Sequence, residues 1–140
     1  MPPSTSPLFH DVVSDPDQRV EVTTTLYPNA HAWIAVSGYG CSGGMRAAAV
    51  SFEAALERLE PHERLLIGVD LAGVTGASLN GQLRLVAWMI AQQHRIERIA
   101  VVSGSTAALQ IAEAVVSLLP FAKRIAFYAS DTEAKAALQR

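Results

Sequence analysis

Residues 64–104 read RLLIGVDLAGVTGASLNGQLRLVAWMIAQQHRIERIAVVSG. Its two short apolar runs, residues 65–71 and 96–103, have the length and the Val/Ile/Leu content of strands covered on both faces, and such strands belong to parallel sheets. Between them AGVTGAS has the composition of a loop, and residues 79–94 then space their apolar side chains as a helix does. A strand, a helix and a strand in that order form the unit from which parallel sheets are built.

The pattern continues in both directions. Downstream, Gly104 and Ser105 open a helix to about Leu119, Pro120 breaks it, and residues 123–129 repeat the strand signal. Ser130-Asp131-Thr132-Glu133 then forms a capping box for a last helix. Upstream, Val20, Val22, Thr24 and Leu26 alternate with polar residues, Tyr27-Pro28-Asn29-Ala30 turns the chain, and residues 31–37 run back around Trp33, Ile34 and Val36 as a hairpin partner. Met45, Ala48, Ala49, Phe52, Ala55, Leu56 and Leu59 recur at helical spacing until Pro61. Residues 1–18 hold Pro2, Pro3, Pro7 and Pro16 among Ser, Thr and Asp and read as a flexible leader. The expected architecture is α/β: a single domain over residues 19–140, order β-β-α-β-α-β-α-β-α, with a mixed five-stranded sheet and four helices.

Composition narrows the function classes. The 140 residues hold 11 Lys plus Arg against 13 Asp plus Glu, a net charge of −2, without any basic run. That balance gives no electrostatic footprint for nucleic acid or for an anionic membrane surface. A single cysteine, Cys41, excludes an internal disulfide and a multi-thiolate zinc site and favours a reducing compartment, so a cytoplasmic location is expected. Neither a basic, apolar signal segment nor a stretch of membrane-spanning length is present, which leaves at most peripheral membrane contact. His10, His31, His62 and His94 are scattered without ligand spacing, so no metal is expected. No cofactor is expected, and no catalytic set of Ser, His and Asp or of paired carboxylates can be assembled.

Two motifs share one loop. Gly38-Tyr39-Gly40-Cys41-Ser42-Gly43 matches G-x-G-x-x-G between a strand and a helix, the form that lets a pyrophosphate approach the backbone, with Asp70 at the next strand end as the ribose acid. Against that reading, Asp70 lies farther along than the usual spacing of about 20 residues. Read instead from Cys41, the run Cys41-Ser42-Gly43-Gly44-Met45-Arg46 resembles the active-site loop of rhodanese sulfurtransferases. The resemblance implies a thiolate nucleophile at Cys41 with Arg46 as its anion clamp. These two readings form the enzymatic alternative to a non-catalytic module.

Ser78 opens the helix after the strand at residues 65–71. It reads as an N-cap, with phosphorylation at a helix N-terminus as its functional alternative. The next helix, residues 105–119, is polar only along Gln110, Glu113 and Ser117, so it needs cover on two sides. In the helix that Ser78 opens, Leu79, Leu83, Val86 and Ile90 read as the inward stripe, which sets Trp88 almost opposite, beside Arg84 and Gln92. An exposed Trp88 would mark a contact surface for a protein partner, a second copy of the chain or a lipid. An apolar or amphipathic ligand would lie between these helices, against Leu85, Trp88, Met89, Leu109 and Val116.

The element order, with RLLIGVDLAGVTG, IERIAVVSG and AKRIAFYASDTEAKAAL, resembles the STAS superfamily of sulfate transporters and anti-sigma-factor antagonists, and most closely its SpoIIAA-like branch. The resemblance spans about residues 19–139. It implies a non-catalytic regulatory or interaction module with a protein partner. In anti-sigma antagonists this helix opens with Asp-Ser-Ser-Gly, whose first serine is the phosphoacceptor. Anchoring on Val74-Thr75 and Gly81 sets Ser78 at the Asp position and Leu79 at the serine, so in that register the switch chemistry is absent. Members of the branch also resemble CRAL-TRIO lipid-binding domains, which implies small-molecule or membrane association through helices two and three.

Overall fold

The computed structural model describes residues 6–139. Six strands, β1 (Phe9–Ser14), β2 (Val20–Tyr27), β3 (His31–Gly40), β4 (Leu65–Ala77), β5 (Ile96–Val102) and β6 (Ile125–Tyr128), lie side by side in chain order. β1, β2 and β3 pair antiparallel, whereas β3 to β6 run parallel, each step crossed by a helix. Those helices are α1 (Ser42–Leu56), α2 (Leu79–Ala91) and α3 (Thr106–Ser117), and α4 (Asp131–Leu138) follows β6.

The sheet thus has six strands rather than five, and the additional one comes from the segment read as a leader. Phe9, Asp11 and Val13 are half-buried and alternate with exposed residues, and β1 pairs in register from Phe9 with Leu26 to Ser14 with Glu21. Its prolines flank the strand instead of interrupting it: Pro7 precedes it and Pro16 lies in the turn to β2. Pro2 and Pro3 lie outside the described residues.

Strands β3 and β4 also outrun their expected ends. AGVTGA is strand, and Ser37, Gly38, Tyr39 and Gly40 pair with Gly73, Val74, Gly76 and Ala77. Glycine permits this close pairing, because a Cβ at Gly73 would stand 3.2 Å from Ser37 and one at Gly76 3.2 Å from Tyr39. Two register shifts in the β3–β4 ladder accompany it.

Helices α1, α2 and α3 cover one sheet face and α4 the other. The first face buries Leu26, Ile67, Ile96, Ile99 and Val101 against Phe52, Val86, Ala112 and Val115. Each fully buried Leu or Ile there contributes about 1.5–3 kcal/mol. On the second face Ala134 and Leu138 of α4 pack on Ala100 and Val102, and Lys135 Nζ lies 4.7 Å from the centre of the Trp33 ring. Gly68 makes room for that indole, since a Cβ there would overlap Trp33.

Candidate functional site

Side chains two apart on β2 to β5, Val22 and Thr24, Ile34 and Val36, Ile67 and Val69, Ile99 and Val101, together with Ile125 of β6, form the floor of a cavity of about 180 Å³. Its roof is built at helical spacing: Met45, Ala48, Ala49 and Phe52 of α1, Gly81, Gln82, Leu85, Trp88 and Met89 of α2, and Ile111, Ala112, Val115 and Val116 of α3. No ionisable side chain lines it, and the polar side-chain atoms among its lining residues belong to Thr24, Gln82 and the indole N–H of Trp88. The Gln82 amide is itself engaged, donating to the carbonyl of Ala77 at 3.3 Å. An apolar cavity of about 150 Å³ stays dry and binds benzene, so this one has room for an aromatic ring or a short alkyl chain.

Of the residues expected to line a ligand site, Leu85, Trp88, Met89 and Val116 are on this wall and Leu109 is not. The phase of α2 is turned from the expected one by roughly a third of a turn. Leu79, Leu83 and Ile90, read as the inward stripe, are exposed by 69%, 47% and 37%; of that stripe only Val86 is buried. Gly81 fixes the phase, because a Cβ there would collide with the Gly40 carbonyl, so α2 must bring this position against the end of β3. A glycine inside a helix marking a close approach was the available signal. Trp88 accordingly faces inward and is half-buried, its ring edge-on to Phe52 with centroids 5.1 Å apart.

Two exposed hydrogen bonds span the seam between α1 and α2. Arg84 Nε donates to Ser42 Oγ at 2.8 Å, and Trp88 Nε1 donates to Glu53 Oε2 at 3.0 Å. Ser78 caps α2, its Oγ accepting the Gly81 N–H at 3.0 Å and lying 3.5 Å from the Gly40 carbonyl.

The glycine-rich segment is the end of a strand and the start of a helix rather than a loop. Gly38 and Gly40 belong to β3, and Gly38 has φ +104 in a position where a Cβ would overlap the Arg19 carbonyl. At Gly44 a Cβ would overlap Val20, while Gly43 lies open to Asp15 and Pro16 at 3.7 Å or more. Asp70 is mid-strand, paired with Ala35, and interacts with Asp131 at the start of α4. Cys41 is 3% exposed, and its thiol interacts with the Asp15 carboxylate. Asp15, from the segment read as a leader, also accepts the N–H groups of Arg19 at 2.7 Å and Val20 at 3.0 Å and the Arg19 Nε at 3.3 Å. Burial raises its pKa, yet these donors together outweigh burial and bring it down from 3.8 to about 2. Arg46 is exposed on α1, whereas Cys41 is buried. No group of His, Cys, Asp and Glu among the described residues could hold a metal ion, and no described helix is long and apolar enough to cross a membrane.

The sequence model of the SpoIIAA-like family matches residues 34–138. Among solved structures, an uncharacterized protein with a SpoIIAA-like fold from Shewanella loihica superposes with TM-score 0.65 at 12% identity, covering 96% of this chain and 99% of that one. An anti-sigma factor antagonist from Mycobacterium paratuberculosis superposes with TM-score 0.57 at 16% identity, covering 91% of this chain and all of that one. No curated protein sequence matches significantly.

Proposed function

This chain belongs to the SpoIIAA-like family, and from that premise we propose that it is a non-catalytic regulatory module that takes a small apolar ligand between its sheet and helices α1, α2 and α3. The carrying observation is the 180 Å³ cavity with its apolar walls. A protein partner, a second copy of the chain included, would meet the outer side of α2, where Leu79, Leu83 and Ile90 are exposed one or two turns apart, and the neighbouring side of α3. An anti-sigma factor antagonist among the structural neighbours supports a regulatory reading. The burial of Cys41 beside the Asp15 carboxylate and the packing role of Gly38 and Gly44 support it against a sulfurtransferase or a dinucleotide enzyme. Ser78, half-buried and engaged with Gly81, acts as the cap of α2 rather than as a phosphoacceptor.

Filling the cavity tests the reading. Ala112 lines it at 6% exposure, so Ala112→Leu places additional methyl groups in the void. Calorimetric titration with toluene, a neutral probe with one aromatic ring, should show saturable binding to the wild type and none to Ala112→Leu, with the melting temperature of the variant unchanged or raised. Equal binding to both proteins, or none to the wild type, overturns it.

A further inference from the structure

The cavity walls carry no charge, but the nearest stretch of the α1–α2 seam does. Arg84 lies between the lining residues Gln82 and Leu85 in sequence, and its guanidinium reaches across to Ser42, three residues before the lining Met45. Arg46 follows Ser42 by four residues, which sets it one helical turn along the same side of α1. Both arginines are exposed, and no carboxylate among the described residues pairs with either. Neither α1 nor α2 has an acidic residue in its first turn. Asp15, whose Cβ would lie 3.7 Å from a Cβ at Gly43 in the first turn of α1, is already engaged by Arg19 and Val20. The other acid on the seam, Glu53, lies at its far end, bonded to Trp88.

We infer that the ligand is an amphiphile with an anionic head, its short apolar tail in the cavity and its head on Arg84, flanked by Arg46. This rests on the cavity reading and adds the head group to it. A guanidinium held only through Nε keeps its two terminal nitrogens for a planar, two-oxygen acceptor such as a carboxylate. The head would exchange one neutral hydroxyl acceptor, Ser42 Oγ, for a charged one, and the rim would gain the counter-ion it lacks.

Calorimetric titration with octanoate and with 1-octanol separates the two readings. Octanoate should bind the wild type about tenfold more tightly than octanol, the increment expected of a hydrogen bond to a charged group. Arg84→Ala should bring octanoate down to the affinity of octanol while leaving octanol unchanged, Arg84→Lys should restore part of the difference, and Arg46→Ala should remove a smaller share. If octanol binds as tightly as octanoate, or if Arg84→Ala weakens both equally, the head-group assignment is overturned and the cavity reading stands. If neither compound binds, both are overturned.

Discussion

The indole of Trp88 stands perpendicular to the ring of Phe52, centroids 5.1 Å apart, and in the same position donates its N–H to Glu53 on the next residue of α1. An edge-on aromatic pair contributes about 0.5–1.5 kcal/mol beyond the area it buries. Both rings line the cavity, so the pair joins α1 to α2 at the place a ligand would touch.

Trp88 is therefore an internal reporter of ligand entry. The only other tryptophan, Trp33, lies on the opposite sheet face beneath Lys135. Addition of 1-octanol should change tryptophan emission in the wild type and equally in Trp33→Phe, whereas Trp88→Phe should abolish the change. A response that survives in Trp88→Phe would place the ligand elsewhere.

Asp15 predicts an acid-stability window. Its carboxyl has a folded pKa of about 2 against 3.8 for the unconstrained group. A depressed pKa stabilises the folded state fully above 3.8, and that contribution is lost as pH falls toward 2, where the native carboxylate is protonated. Asp15→Asn should accordingly lower the melting temperature most at neutral pH, and the gap from the wild type should narrow between pH 4 and pH 2. A gap that stays constant over that range would show that Asp15 acts by shape alone.

Asp131 shifts the other way. Burial first, then the neighbouring Asp70 charge and a hydrogen bond with it, raise its pKa, with Lys135 opposing. A raised acid weakens the fold when ionised, and the penalty disappears as pH falls through its folded pKa toward 3.8. Asp131→Asn should raise the melting temperature at pH 7, with the advantage gone near pH 4. No difference at pH 7 would remove the Asp70–Asp131 repulsion from the account.

The glycines of the α1 entrance separate packing from anion binding. Gly44→Ala would drive a methyl group into Val20 and should cost about 1–3 kcal/mol, while Gly43→Ala, whose Cβ would meet Asp15 and Pro16 at ordinary contact distance, should be nearly neutral. Chemical denaturation of the two variants measures this. A backbone cradle for phosphate would predict similar stability for both and loss of nucleotide binding.

From Leu65 onward the parallel βα units were legible because β4 and β5, the inner strands of the parallel part, read as continuous apolar runs. The Ser130 cap was equally legible, its Oγ accepting the Glu133 N–H at 3.2 Å. β1 was not, because an edge strand with alternate residues exposed, flanked by Pro7 and Pro16, has the composition of a tail. The extended ends of β3 and β4 were hidden for a related reason: Gly38, Gly40, Gly73 and Gly76 look like loop residues, although in the sheet they are what lets the two strands, bulged there, approach. The cavity itself follows from how three helices sit over one sheet, and no single segment records that. Its wall was partly named from residues beside the stripe taken as inward, Leu85, Trp88 and Met89, for which the structure supplies a different reason.

The orientation of α2 gives the sharpest test. Leu79, Leu83, Leu85, Val86, Trp88, Met89 and Ile90 surround most of its circumference, so helical periodicity alone allows more than one inward face, and Gly81 against Gly40 selects between them. Leu83 is 47% exposed, whereas Leu85 lines the cavity. Leu83→Glu should therefore change stability by no more than about 0.5 kcal/mol, the usual range for a surface substitution. Leu85→Glu would put a carboxylate among Phe52, Trp88 and the sheet and should destabilise by about 3 kcal/mol or more, or raise the pKa of the new acid until it is neutral. Urea unfolding of the two variants at pH 7 reads the difference directly. If Leu83→Glu is the damaging change and Leu85→Glu the silent one, α2 is turned the other way, and Trp88 leaves the cavity with Leu85.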